Sequence, residues 1–280
     1  MNGVIVNADS AQIYADLPIL SASPSGDDLK RAEHRLYGIA HGAVGISAAE
    51  WANLAKHEFE RIQASGRIPI LVGGTGLYLR TLLDGIAPVP AIDPAIRAEV
   101  RAANVAANRR RLLEHDPQAA ARLGAADSAR IARALEVVLS SGRTLADWQQ
   151  ERSGGISDLV ELYPLILLPP RDWLYARCDA RFEAMVELGA VEEVKTLLKR
   201  GLPSTLPVMR AIGVREITAF LDGQMTLDEA TASGQQATRN YAKRQYTWFA
   251  HQPPIQWPRF GEPLDQSAIG AALALIRPSD

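Results

Sequence analysis

Two short apolar runs, each ending in small polar residues and separated by one amphipathic helix, constrain this chain more than any other feature. The first is Val4-Ile-Val6, which runs into Asn7-Ala-Asp9-Ser10. The second is Ile68-Pro-Ile-Leu-Val72, which runs into Gly73-Gly-Thr75-Gly76. Between them Ser47-Ala-Ala-Glu50 has the S-x-x-E form of a capping box, which starts a helix. That helix carries Trp51, Leu54, Ala55, Glu58, Phe59 and Ile62, mostly at helical spacing, and Gly66 is its stop. Strand, helix, strand with a helix of this length predicts a right-handed parallel crossover. Parallel strands put their carboxyl ends on one rim. Asp9-Ser10 and Gly73 to Thr75 are therefore expected to face a common cleft, where α/β sheets bind ligands.

The remaining chain surrounds this unit with helices. Ala15 to Gly45 reads as loop, with a short helix around Asp28 to Leu36. A helix over Leu77 to Leu83 follows the second strand, and Ile86 to Pro94 reads as a linker. From Asp93 to about Gln150 the pattern is almost wholly helical, rich in Ala and Arg, punctuated by Pro117, Gly124 and Gly142. Ser153 to Gly155 is a second linker, and Tyr163 to Leu168 is expected to return to the sheet as a strand. A long helix is predicted over Trp173 to Arg200, with Leu174, Cys178, Arg181, Met185 and Leu188 along one face. Further helices are expected over Arg210 to Leu221, from the capping box Thr226 to Glu229 as far as His251, and over Ala268 to Ile276. Ile255 to Trp257 reads as a last strand. The division is then an α/β core of residues 1–87 and 157–280 with a helical insertion of residues 88–156.

Composition narrows the partners only a little. The formal net charge is -2, so local clusters rather than overall charge must decide for or against nucleic acid. The single cysteine, Cys178, excludes an internal disulfide and suits a reducing cytoplasm. No apolar run is long enough to span a bilayer, and no secretory signal pattern opens the chain.

Each chemical signal has a plain structural counterpart. Asp9 at a strand end is a candidate base, and equally a loop carboxylate capping a turn. Gly73-Gly74-Thr75 before a helix suits an anion, yet Thr75 is also an ordinary N-cap. Arg97, Arg101, Arg109 to Arg111, Arg122, Arg130 and Arg133 cluster in the insertion. Arg239, Lys243 and Arg244 alternate with Tyr241, Tyr246, Trp248 and Phe249 near the C-terminus. Such mixtures neutralise phosphates and stack bases of single-stranded RNA, while for any one helix a solvated charged face is the simpler account. The histidines show no ligand spacing, so no metal ligands are assigned. No glycine is followed by lysine, so no G-x-x-x-x-G-K-[ST] loop is present.

Five segments carry a resemblance: Asn7 to Tyr14 (NADSAQIY), Arg67 to Gly85 (RIPILVGGTGLYLRTLLDG), Asp127 to Val137 (DSARIARALEV), Val208 to Ile217 (VMRAIGVREI) and Ala237 to Phe249 (ATRNYAKRQYTWF). In this order they resemble the tRNA dimethylallyltransferase family. Leu17 to Ser25 departs from its commoner form and is similar to a bacterial subgroup, with Ala15 and Ser23 where that subgroup often has arginine.

The resemblance implies an α/β, P-loop NTPase-like parallel sheet flanked by helices, with an α-helical insertion that binds tRNA. It implies transfer of a dimethylallyl group from dimethylallyl diphosphate to N6 of the adenosine 3′ of the anticodon, with Mg2+ assisting the leaving group. Asp9 would be the general base and Thr75 its neighbour in the reaction channel. Gly73, Gly74 and Arg215 would attend the diphosphate. Asp9, Ser10, Ala11, Gln12, Thr75, Arg97, Ala129, Arg130, Ile131, Ala132, Arg133, Arg239, Lys243 and Arg244 would contact the tRNA. A cytoplasmic monomer is implied.

In the family a strand and a G-K-[ST] loop come first, and here they would precede Met1. The expectation is therefore a sheet lacking its first strand and P-loop, with prenyl transfer impaired. A tRNA-binding chain without catalysis, or a small-molecule kinase of the same fold class, is the alternative.

Overall fold

The computed structural model describes residues 2–276. The chain forms two compact units, one of Met1–Leu82 with Leu159–Asp280 and one of Leu83–Asp158. Residue 1 and residues 277–280, which the expected core limits include, lie outside the described residues.

The first unit opens with β1 (Gly3–Asn7), α1 (Gly26–Arg31), β2 (Glu33–Arg35), α2 (Ala48–Ala64), β3 (Ile68–Val72) and α3 (Gly76–Asp84). The sheet order is β2-β1-β3, with both pairings parallel. This overturns the expectation of a sheet without its first strand and P-loop. The chain has an N-terminal strand in a parallel sheet of the P-loop type, and β1 is its centre, bonded along both edges. Its second neighbour was hidden in the sequence. Glu33-His34-Arg35 shows no apolar alternation, yet it pairs with Val4, Ile5 and Val6, because a buried central strand must satisfy its backbone on both sides. Glu33 is held in place by ion pairs to Arg35 and Arg67.

The Ser47 capping box forms as expected: the Glu50 N–H donates to Ser47 Oγ at 3.2 Å and the Ser47 N–H to Glu50 Oε2 at 2.8 Å. One turn in, Trp51 is fully buried, stacks on Tyr78 at 4.4 Å and donates its indole N–H to the Asn7 carbonyl at 3.0 Å. One side chain thus ties α2 to the end of β1 and to α3.

The second unit is helical: α4 (Pro94–Ala102), α5 (Val105–His115), α6 (Pro117–Arg122), α7 (Ser128–Ser141) and α8 (Leu145–Gln150). Val100, Leu112, Ile131 and Leu135 form its core. Glu136, 1% exposed, is paired with Arg101 at 2.5 Å.

The first unit resumes with β4 (Ile166–Leu167), α9 (Arg171–Glu187), α10 (Ala190–Leu198), α11 (Val214–Leu221), α12 (Leu227–His251), β5 (Arg259–Phe260) and α13 (Ile269–Ala274). The strand expected at Tyr163 to Leu168 is shorter, and it pairs with β5 in a separate two-stranded sheet. The last strand lies at Arg259–Phe260 rather than Ile255 to Trp257. The long helix expected over Trp173 to Arg200 is two helices, broken at Gly189, whose φ of 110° no helix accommodates. No helix among the described residues is long and apolar enough to cross a membrane.

Candidate active site

The site is built at the ends of β1 and β3. Asn7, fully buried, closes β1: its Oδ1 accepts the Asp9 N–H at 2.7 Å, and its Nδ2 donates to the Asp9 and Leu36 carbonyls, each at 3.0 Å. Asp9 Oδ1 in turn accepts the Ala11 N–H at 2.8 Å. Asp9 is thus a turn-capping carboxylate, with one oxygen committed to its own loop. Across from it, Thr75 Oγ1 accepts the Ser10 N–H at 2.9 Å and donates to Ser10 Oγ at 3.2 Å. The shared rim inferred from the parallel strands is therefore a direct contact.

The glycines of the turn have work within the chain itself. A Cβ on Gly73 would lie 2.2 Å from the Ala8 carbonyl carbon, and one on Gly74 would lie 2.2 Å from Gln245 Nε2. Close approach of the Asp9 loop and of α12 accounts for both, with no ligand needed. Gln12 is also tied down, donating to the Ser21 and Ala22 carbonyls at 3.0 and 2.7 Å. It holds the loop in which Ala22 has a φ of 52°.

A cavity of about 440 Å³ opens over the Asp9 to Gln12 loop, a size typical of small-molecule sites, and Gly73, Gly74 and Thr75 are not among its lining residues. Asp9, Ser10, Ala11 and Gln12 form one wall, Tyr78 lies beside them, and Tyr241, Arg244 and Gln245 come from α12. Arg181 on α9 and Arg210 just before α11 add two more guanidinium groups. Burial pushes the Tyr78 hydroxyl up to about 12, helped by the nearby Tyr14 and the Asp9 carboxylate. Burial and then the negative charge of Asp9 also raise Tyr37 and Tyr241, while the neighbouring Thr75, Arg244 and Gln245 side chains oppose the shift at Tyr241. These tyrosines stay protonated and neutral at physiological pH. The cavity therefore brings together the Asp9 carboxyl group, the neutral hydroxyls of Tyr78 and Tyr241, and three arginines, with Arg244 lying over the Tyr241 ring at 5.5 Å.

Other expected residues lie elsewhere. Arg215 is exposed on α11 and is not among the residues lining the cavity. Arg239 is paired with Asp179 at 2.5 Å and Gln236 at 2.7 Å, while Lys243 is exposed. In the second unit Arg97, Ala129 and Arg130 are exposed and Arg133 is half-buried. Ile131 and Ala132 are buried in that unit's core.

The comparisons decide the family. The model of the IPP transferase family matches residues 12–252. The chain belongs to the IPP transferase family. A tRNA dimethylallyltransferase of Sphingopyxis alaskensis is 61% identical over 268 residues, covering 96% of this chain and 88% of its own length. One of Novosphingobium aromaticivorans is 58% identical over 276 residues, covering 98% of both. The crystal structure of a full-length tRNA isopentenylpyrophosphate transferase from Bacillus halodurans superposes with a TM-score of 0.68 at 30% identity, covering 98% of this chain and 86% of that one. A eukaryotic dimethylallyltransferase acting on tRNA shares the fold, with a TM-score of 0.80 at 24% identity, covering 98% of this chain and 71% of that one. Members of the family transfer a dimethylallyl group to tRNA, which makes the chain a prenyltransferase by family.

Within this IPP transferase fold, Tyr78, Arg210, Tyr241 and Gln245 lie inside the resembling segments without having been assigned to the site, and Arg181 lies outside those segments. Arg181 did leave a signal, a charge on the otherwise apolar face of α9. The others are brought in by the packing of helices far away in sequence.

Proposed function

We propose that this chain transfers the dimethylallyl group of dimethylallyl diphosphate to N6 of the adenosine 3′-adjacent to the anticodon (position 37) of tRNA, giving N6-(dimethylallyl)adenosine. The observation that carries this reading is the meeting of Asp9 and the Thr75-braced Ser10 at the wall of a cavity that also holds three arginines. In this reading the adenine leaves its stack and enters the cavity. The N6 lone pair attacks C1 of the prenyl group, the C1–O bond breaks, and its electron pair leaves with the diphosphate. Asp9 accepts the N6 proton through the carboxylate oxygen that its loop does not use. Gly73, Gly74 and Arg215 are assigned to the diphosphate, together with Arg181 and Arg210, whose charge suits it. Ser10, Ala11, Gln12, Arg97, residues 129–133, Arg239, Lys243 and Arg244 are assigned to the tRNA.

Among the described residues no group of three or more His, Cys, Asp or Glu side chains could hold a metal ion. That donor set fits Mg2+ only as a partner of the diphosphate, since Mg2+ commonly binds through substrate phosphates and water with one or two carboxylates. When bound, it would offset the charge of the leaving group.

A second reading, tRNA binding with weak or no transfer, is favoured by one observation: Gly73 and Gly74 are closed over by Ala8 and Gln245 and are not among the residues lining the cavity. One experiment separates the two. The chain is incubated with an anticodon stem-loop, dimethylallyl diphosphate and Mg2+, and the RNA is weighed by mass spectrometry. The proposal expects one added dimethylallyl group, and a loss on the order of 10²-fold or more in rate for Asp9→Asn. Salt-dependent binding without product would establish the second reading instead.

A further inference from the structure

Within the Ala237 to Phe249 segment, Gln245 and Trp248 of α12 touch the turn that carries Thr75. Tyr241, Gln245 and Trp248 stand at i, i+4 and i+7, so they share one face of that helix. The Gln245 amide donates to the Gly74 carbonyl at 3.0 Å. Three residues further on, the Trp248 ring occupies the space beside Gly76, where a Cβ would lie 2.4 Å from Cε2. The two residues flanking Thr75 are therefore both held by α12. Thr75 itself holds Ser10, through one bond to its backbone and one to its hydroxyl.

We propose that Gln245 is a positioning residue for prenyl transfer: by holding the Gly74 carbonyl it fixes the Thr75 hydroxyl, and through Ser10 it fixes the loop that carries Asp9. This rests on the reading of Asp9 and Thr75 as the reacting centre. The physical reason is the precision that proton transfer requires. Asp9 sits on a loop, and a loop is placed less exactly than a helix or strand. The side chain of a 25-residue helix supplies the missing restraint. A displacement of about 1 Å at such a centre costs roughly 10²-fold in rate.

The test uses Gln245→Ala and Gln245→Glu in the full chain. The second variant keeps the volume but cannot donate to a carbonyl when ionised. Two measurements are made. The first is hydrogen exchange at the Ser10 amide, which needs no turnover. Exchange about tenfold faster with an unchanged melting temperature is expected, as for a local opening. The second is prenyl transfer to an anticodon stem-loop. A kcat roughly 10- to 100-fold lower is expected, with KM for the stem-loop unchanged. The effect should vanish in a Thr75→Ala background, because both substitutions remove the same restraint. Unchanged Ser10 exchange in the Glu variant would overturn the proposal. So would a loss of kcat equally large in the Thr75→Ala background, or a rise in KM alone, which would mark Gln245 as a tRNA contact. If the parent chain transfers nothing, the reading of Asp9 as base fails, and Ser10 exchange still decides the role of Gln245.

Discussion

Asn7 shows how much of a candidate site can depend on one buried side chain. It is fully buried, both of its amide hydrogens are donated, and its oxygen is the acceptor that turns Asp9. Asn7→Asp keeps the shape and reverses the chemistry: an acceptor oxygen would face the Asp9 and Leu36 carbonyls, each 3.0 Å from the present amide nitrogen. Urea melts should show a loss of at least about 2 kcal/mol, since a buried group that loses its donors carries the full desolvation cost. A melt unchanged within error would mean that the β1 turn tolerates the swap by rearranging. The rim on which Ser10 meets Thr75 was legible, because a strand that ends in small polar residues fixes where those residues go. The rest of the wall was not. Gln245 is 171 residues from its partner Gly74, and nothing local records such a pairing.

At the scale of elements, the legible features were those with a local mechanism. The capping boxes at Ser47 and Thr226 could be read because hydroxyl and carboxylate lie three residues apart. β2 could not be read, because its place depends on the needs of β1 rather than on its own pattern. The break at Gly189 was missed because a helical period runs through it. Two predictions belong here. α9 meets α12 where Phe182 lies over Gly234, and a Cβ there would sit 2.1 Å from Phe182 Cζ. Gly234→Ala should therefore destabilise by about 1–3 kcal/mol through overpacking, despite the gain in helix propensity. A more stable variant by thermal melting would show that Phe182 moves aside freely. The second prediction concerns acid. Hydrogen bonds to the Ser25, Ser47 and Thr144 side chains, and to the Thr226 backbone, hold Asp28, Glu50, Asp147 and Glu229 below the ordinary carboxylate range. A folded pKa below the unfolded one gives stability that is present above the ordinary values of 3.8 and 4.5 and is lost as pH falls through the lowered ones. The melting temperature should thus fall as pH drops below about 4.5, the ordinary Glu value, and replacing Glu50 and Glu229 by Gln should flatten that fall. An acid limb identical in the double variant would place the titration elsewhere.

For the molecule as a whole, a formal charge of -2 must be reconciled with binding to a polyanion. Local clustering reconciles them, and burial sorts the expected contacts into two kinds. In the second unit Arg97 and Arg130 are exposed, and Arg130 makes a long ion pair with Asp127 at 3.5 Å. Ile131 is fully buried among Val100, Leu112 and Leu135. The stretch from Ala129 to Arg133 therefore has an exposed side and a buried side on α7. Exposed arginines that meet phosphate release counterions, and that release sets the salt dependence of binding. Arg97→Ala and Arg130→Ala should each weaken stem-loop binding while leaving the melting temperature unchanged. Each should also reduce the slope of log K against log salt by about one. Ile131→Ala should instead lower stability by about 2–5 kcal/mol through the cavity it leaves. Its effect on RNA affinity, measured well below the melting temperature, should carry no change in salt slope. An arginine variant with the parent slope would remove that residue from the RNA interface. A changed slope in Ile131→Ala would mean that the core of the second unit, rather than its surface charge, sets the fit to RNA.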